Sequence, residues 1–129
     1  MGWDGIELRD ETPAQFVRRD MESNGHQVVR LYHVQDAVYA AVRLGKPDTI
    51  SKAGDVVALV VAIRHDGRYC MMKWMHEAEG PCYYDAPAEL LDVLTPCEAM
   101  YSPAWRARCR ETIADRAAGR PARVHVLAR

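Results

Sequence analysis

The sequence predicts an α+β fold, in which flanking helices pack on a four-stranded antiparallel meander as a two-layer sandwich. The first observation is a pair of apolar, β-prone segments, residues 56–63 and 69–75, separated by the dipeptide Asp66-Gly67. An Asp-Gly turn between two such segments is a strong signal for a β-hairpin. The second observation is an earlier pair of β-prone segments. The third is helical periodicity before and after the strands, which indicates an α+β arrangement.

The first helix is predicted to begin at Thr12 and Pro13. The threonine side chain can accept a hydrogen bond from a free backbone N–H group, and proline suits the first helical position. Phe16, Val17 and Met21 then recur at helical spacing. We therefore expect one apolar face that packs on the sheet.

Four strands are predicted after this helix. Residues 28–34 and 37–44 are rich in β-branched and aromatic residues and read as a first hairpin. A loop over residues 45–54 leads to the third strand, residues 56–63, which lacks polar alternation. That pattern is typical of a strand that lies centrally or is covered on both faces.

Two helices and a last short strand are predicted in the remainder of the chain. The shorter of these two helices covers residues 88–94, and the longer one begins after Ser102 and ends at Gly119. A final strand is expected at residues 124–127. Apolar residues at helical spacing should be buried in both helices: Leu90, Leu91 and Leu94 in the shorter, and Trp105, Cys109 and Ile113 in the longer.

Composition bounds the classes of protein that this chain can belong to. The 129 residues predict a single domain, and 49% apolar with 27% charged residues is typical of a globular protein rather than a disordered one. A net charge of −1 argues against binding of polyanions by bulk electrostatics. No apolar stretch is long enough to span a membrane, and the first residues lack the features of a signal peptide. We therefore expect a cytoplasmic protein.

The four cysteines, Cys70, Cys82, Cys97 and Cys109, have no CxxC spacing. This excludes a zinc ribbon and a thioredoxin-like motif. In a reducing compartment the thiols should be free. We expect Cys70 and Cys109 to be small residues of the core.

One cluster of metal-ligand types follows the fourth strand. His76, Glu79 and Cys82 are residue types that bind zinc, and they make a small metal-dependent hydrolase an alternative function. The pattern of zinc deaminases is not met, because Ala78 and Asp85 stand where a glutamate and a second cysteine are required. A polar loop at the strand end is the simpler interpretation of this cluster, because the ligand types lack regular spacing, so we predict no metal, no catalytic residue and no cofactor.

The C-terminal residues 106–129 contain seven arginines. Arg106 and Arg110 align on one side of the last helix, whereas Arg108 points elsewhere. A nucleic-acid binder needs its arginines on one face, and only two of these three arginines meet that requirement. Nucleic-acid binding by the C-terminal arginines is therefore kept as an alternative function. Arginine stems that cover an apolar stripe are the simpler interpretation.

Aromatic residues beside turn signals suggest an interaction surface. Trp3 follows Gly2, Tyr101 precedes Ser102, and both Tyr83 and Tyr84 lie between Gly80-Pro81 and Asp85. Exposed aromatic residues at these places would anchor a protein partner. Together with Arg106 and Arg110 they form the predicted binding residues. The function expected from the residues is a non-enzymatic protein–protein interaction module.

Several short segments resemble a family of short uncharacterised proteins that occur in bacteria, on plasmids and in phages. The resemblance covers most of residues 1–110 and is carried by the segments Met1-Gly2-Trp3, Tyr39-Ala40-Ala41-Val42, residues 56–63, Gly80-Pro81-Cys82, residues 87–96 with Leu90-Leu91 and Leu94-Thr95-Pro96, and Trp105-Arg106-Ala107-Arg108-Cys109. It implies no catalytic residue. It implies an accessory protein of mobile elements, such as an anti-CRISPR-like inhibitor that binds a host defence complex. Members of the family often continue into further β segments, which we expect to be missing after Arg129.

Overall fold

The computed structural model describes residues 4–34, 36–47, 51–64, 68–75, 87–96 and 101–119. Within them the chain forms one five-stranded antiparallel sheet and three helices. The strands are β1 (Asp4–Glu7), β2 (Gln27–Val34), β3 (Ala37–Arg43), β4 (Val56–Arg64) and β5 (Tyr69–Trp74), and the helices are α1 (Pro13–Ser23), α2 (Ala88–Val93) and α3 (Pro103–Ala117). The predicted α+β fold is confirmed.

The strand order in the sheet is β1-β5-β4-β3-β2. The four predicted strands form the meander, and β4 pairs antiparallel with β5 as expected, from Leu59 to Arg64. The prediction of four strands is wrong by one, because β1 pairs with the outer edge of β5 from Asp4 to Glu7. This segment contains glycine and two acidic residues, which are depleted in strands, so its local sequence gives no strand signal.

Helix α1 begins as its sequence predicts. The side-chain oxygen of Thr12 accepts a hydrogen bond from the Gln15 backbone at 3.2 Å, and the Gln15 side chain accepts one from the Thr12 backbone at 2.8 Å. This reciprocal capping box satisfies two free donors of the first turn. Val17 and Met21 are buried, and α1 packs on β2 and β3. The helix stops before Gly25, whose φ of +84° favours glycine.

Strand β4 occupies the centre of the sheet. Every residue from Val56 to Val61 is buried, and successive side chains of a strand point to opposite faces. Both faces are therefore covered there, as the missing polar alternation predicted. The neighbouring β3 is buried in the same way from Val38 to Val42, so the core lies on both sides of these two strands.

Strand β5 ends at Trp74, and residues from later in the chain form the remaining hydrogen bonds along the same edge of β4. Met75 still donates to the carbonyl of Ala58 at 2.9 Å. Next to it, the Val56 N–H donates to the hydroxyl of Thr95 at 2.9 Å, and the Thr95 N–H donates to the Val56 carbonyl at 3.0 Å. The segment after α2 thus completes the hydrogen bonding of β4, as buried backbone groups require.

The buried side of α3 agrees only partly with the predicted stripe. Trp105 and Cys109 are buried, but Ile113 is half-buried, and Thr112 and Asp115 are buried further along. Ile113, predicted to be buried, is only partly buried against the core. A step of seven residues brings Thr112 within about 20° of Trp105, so Thr112 continues the buried side of the helix more directly. The packed side of this helix therefore becomes polar towards its C-terminus.

The two cysteines that the structure describes, Cys70 and Cys109, are buried and free, as predicted. The turn dipeptide Asp66-Gly67, the other two cysteines and the strand expected at residues 124–127 lie outside the described residues. None of the described helices has the length and apolar character that crossing a membrane requires.

Candidate functional site

Most of the predicted site residues lie outside the described part of the chain. They are Trp3, His76, Glu79, Cys82, Tyr83 and Tyr84. Within the described residues, no group of three His, Cys, Asp or Glu side chains could hold a metal ion. The metal site at His76, Glu79 and Cys82 stays a prediction.

Tyr101 is not an exposed anchor. Its side chain is 1% exposed. The hydroxyl accepts a hydrogen bond from the Ala58 N–H at 3.1 Å and donates to the Met75 carbonyl at 2.7 Å. The ring packs edge-on against Trp105, with 5.2 Å between centroids. The predicted surface role is wrong, because the hydroxyl finds two backbone partners where β4 and β5 diverge.

Arg106 and Arg110 align, as predicted, but both are engaged within the chain. Arg106 donates to the carbonyl of Tyr101 at 3.1 Å and to the carbonyl of Leu94, and Arg110 forms an ion pair with Asp92. Burial lowers the pKa of Arg106, and the nearby Arg110 lowers it further against the opposing effect of Asp92. These arginines connect α3 to α2, which supports the interpretation as a covered helix flank.

An open groove of about 340 Å³ lies between the end of β1 and the start of α1. At its wall Arg19 donates to both carboxylate oxygens of Glu11, at 3.1 and 2.6 Å, and the Arg19 guanidinium lies 5.4 Å from the ring centroid of Phe16. The hydrogen bonds from Arg19 hold the pKa of the Glu11 carboxyl below its usual range. These two charges satisfy each other, so they stabilise the start of α1 rather than form a reactive pair.

A more informative surface lies at the end of the sheet where both hairpins turn. Val34, Ala37, Ala62 and Met71 are consecutive partners across β2, β3, β4 and β5, so they form one row on one face. All four are half-buried, in contrast to the fully buried residues deeper in β3 and β4. Tyr69, two residues before Met71 on the same face, is 39% exposed. We call these five residues the hairpin-end patch.

The exposed tyrosine of this patch is held against the edge strand. A Cβ atom placed on Gly5 would lie 2.7 Å from the hydroxyl oxygen of Tyr69. The aromatic side chain therefore extends over the backbone of β1, where the glycine leaves room. Such packing of an aromatic residue over a glycine in an adjacent strand stabilises sheet edges. The patch thus presents a positioned ring beside an apolar row.

Sequence reasoning missed this surface, although a local signal exists. Tyr69, Met71 and Lys73 lie on one face of β5 and alternate with Cys70, which is the one deeply buried residue of that strand. The registers of three strand pairs decide which residues of the other strands lie on the same face as Tyr69 and Met71. No protein-family model, curated protein or solved structure matches this chain. The resemblance to proteins of mobile elements therefore stays a prediction.

Proposed function

We propose that the protein is a binding module that docks another protein on the hairpin-end patch. The observation that supports this is the continuous row Val34, Ala37, Ala62 and Met71, which stays half-exposed beside an exposed Tyr69. Large contiguous apolar patches are rare on monomeric proteins and often mark an interaction site. Interface centres are enriched in tyrosine and methionine.

The chemistry of the patch favours binding over catalysis. Its row consists of aliphatic and thioether side chains, which supply contact area and shape. A reaction needs a nucleophile, an acid or a base near its centre. The side chains of the row have none of these groups. The resemblance to proteins of mobile elements adds a class of partner, a host defence complex.

Position-specific crosslinking tests this proposal. A photoreactive phenylalanine analogue is placed at Ala62, in the patch, and at Arg18, on the exposed side of α1, which is the matched control. We expect crosslinked partner proteins in host lysate from position 62 and none of them from position 18. Identical crosslinks from both positions, or none from position 62 and from a second patch position at Val34, would overturn the proposal.

A further inference from the structure

The backbone hydrogen bonds at the two ends of β3 show which of its residues bond to which neighbouring strand. The Leu44 N–H donates to the Asp55 carbonyl, and the Asp36 carbonyl accepts from the Ile63 N–H. Even-numbered residues therefore bond to β4 and odd-numbered residues bond to β2, because successive residues of a strand bond to opposite sides. The partners of the odd-numbered residues in the second half of β2 are Arg30, Tyr32 and Val34.

Leu31 and His33 of β2 consequently direct their N–H and carbonyl groups away from the sheet. β2 is the last strand in the sheet order, and no hydrogen bond from the residues that the structure describes reaches these groups. Arg30 on one face and His33 on the other face are exposed, so the described elements leave this side of the strand accessible. We call residues 30–34, with their outward backbone groups, the β2 edge.

The two outer strands of the sheet differ in how well they are protected from pairing with another chain. β1 is four residues long and contains a glycine and two acidic residues, and short charged edge strands pair poorly. β2 is eight residues long, and a longer edge with free N–H and carbonyl groups is a template for a further strand. The β-bulge between Val28 and Arg30 limits regular pairing to the β2 edge.

We infer that the β2 edge binds an extended segment of the partner protein as a sixth, antiparallel strand. This inference rests on the proposed function and adds the mode of docking. A strand beside Val34 extends the row Val34, Ala37, Ala62 and Met71 by one position, so the new strand and the hairpin-end patch form one continuous surface. In this mode main-chain hydrogen bonds supply affinity, and alternate side chains supply specificity.

Arg30 determines the chemistry that the added strand needs. β2 contains no acidic residue, so a second copy of this chain paired through the same strand would place no carboxylate opposite Arg30. An acidic residue of a different protein can lie there, and opposite charges across a strand pair stabilise it. Tyr32 and Val34 lie on the same face and are half-buried, so they favour β-branched apolar residues opposite them.

Backbone N-methylation of a peptide tests the inference, because it removes single N–H donors. The probe is a fluorescein-labelled heptapeptide, Thr-Val-Thr-Val-Val-Glu-Thr, whose second residue pairs with Val34 and whose sixth pairs with Arg30. Its third and fifth residues then bond to His33 and Leu31. In fluorescence anisotropy, N-methylation of these two should weaken binding about tenfold, since two hydrogen bonds are lost. N-methylation of the second and fourth residues, which bond to the opposite side, should change binding less than about twofold.

Two variants of the full chain test the same edge from the protein side. His33→Pro removes an outward N–H but no bond to β3, and proline is tolerated on an edge strand whose N–H faces solvent. It should weaken peptide binding about fivefold, whereas His33→Thr, which keeps the N–H, should not. Arg30→Glu should reverse the charge preference, so that a peptide with lysine as its sixth residue binds more tightly than the glutamate peptide.

Three outcomes would overturn the inference: no binding of the parent peptide at millimolar concentration, equal binding of the two N-methylated peptides, or dimerisation of the native chain that His33→Pro abolishes. Should His33→Pro fail to fold, the N-methylated peptides decide. Crosslinking of a partner from position 62 that persists in Arg30→Glu, without any peptide binding, would refute strand addition and leave the proposed function standing. Absence of both peptide binding and crosslinking would refute both.

Discussion

The hydroxyl of Tyr101 lies 2.7 Å from the carbonyl oxygen of Met75 and donates a hydrogen bond to it. The same hydroxyl accepts from the backbone N–H of Ala58, so one side chain satisfies a donor and an acceptor of two strands that move apart. Tyr101 itself has a φ of +58°, which non-glycine residues rarely adopt. The packing of its ring on Trp105 offsets the energetic cost of that backbone conformation.

Removal of the Tyr101 hydroxyl should destabilise the protein. Tyr101→Phe leaves the Ala58 N–H and the Met75 carbonyl without their buried partner, and an unsatisfied buried group costs about 1–3 kcal/mol. Tyr32→Phe is the control, because Tyr32 is only half-buried in the edge strand β2, and we expect a change below about 0.5 kcal/mol. Urea denaturation of both variants measures the difference, and equal midpoints would contradict it.

Helix α3 should depend on Trp105 far more than on Arg108. Trp105 is among the largest fully buried side chains, so Trp105→Ala should lower the free energy of unfolding by about 3–5 kcal/mol. Arg108 is half-buried on another side of the helix, and Arg108→Ala should cost no more than about 0.5 kcal/mol. Thermal unfolding compares the two. Similar melting temperatures would show that the buried side of α3 is assigned wrongly.

Arg106 should matter more for stability than Arg110, although one helical turn separates them. Arg106→Gln removes hydrogen bonds to the carbonyls of Leu94 and Tyr101, and bonds to charged donors contribute about 1.5–3 kcal/mol. Arg110→Gln breaks an exposed ion pair with Asp92, which contributes at most about 1 kcal/mol. Denaturant unfolding in low and high salt checks both. The reverse order of effects would refute the role assigned to Arg106.

The Glu11–Arg19 pair predicts a specific acid titration. The hydrogen bonds from Arg19 lower the pKa of Glu11 in the folded protein, so the stabilisation is present at neutral pH and is lost as the pH falls through that lowered pKa. In an NMR titration the Glu11 carboxyl should have a midpoint below its ordinary range. Arg19→Gln should raise the midpoint towards that range, whereas Arg18→Gln should leave it unchanged. An identical midpoint in all three proteins would contradict the pairing.

The features that the sequence predicts correctly are local ones. The N-terminal cap of α1 by Thr12 and the pairing of β4 with β5 follow from residues that are close in sequence. The failures depend on contacts between distant residues. Strand β1 forms because β5 offers it an edge, and Tyr101 is buried because Ala58 and Met75 need its hydroxyl. The hairpin-end patch depends on three registers together, which no single segment encodes.

The completion of β4 by Thr95 and Tyr101 has a consequence for the order of folding. The strands of the meander pair with their neighbours in sequence, and such short loops close at little entropic cost. The bonds from β4 to Thr95 and Tyr101 join residues 39 and 43 positions apart. Contacts between distant residues slow folding. We therefore expect an intermediate in which the meander has formed while α2 and α3 are undocked, and in which the backbone N–H of Ala58 exchanges with solvent.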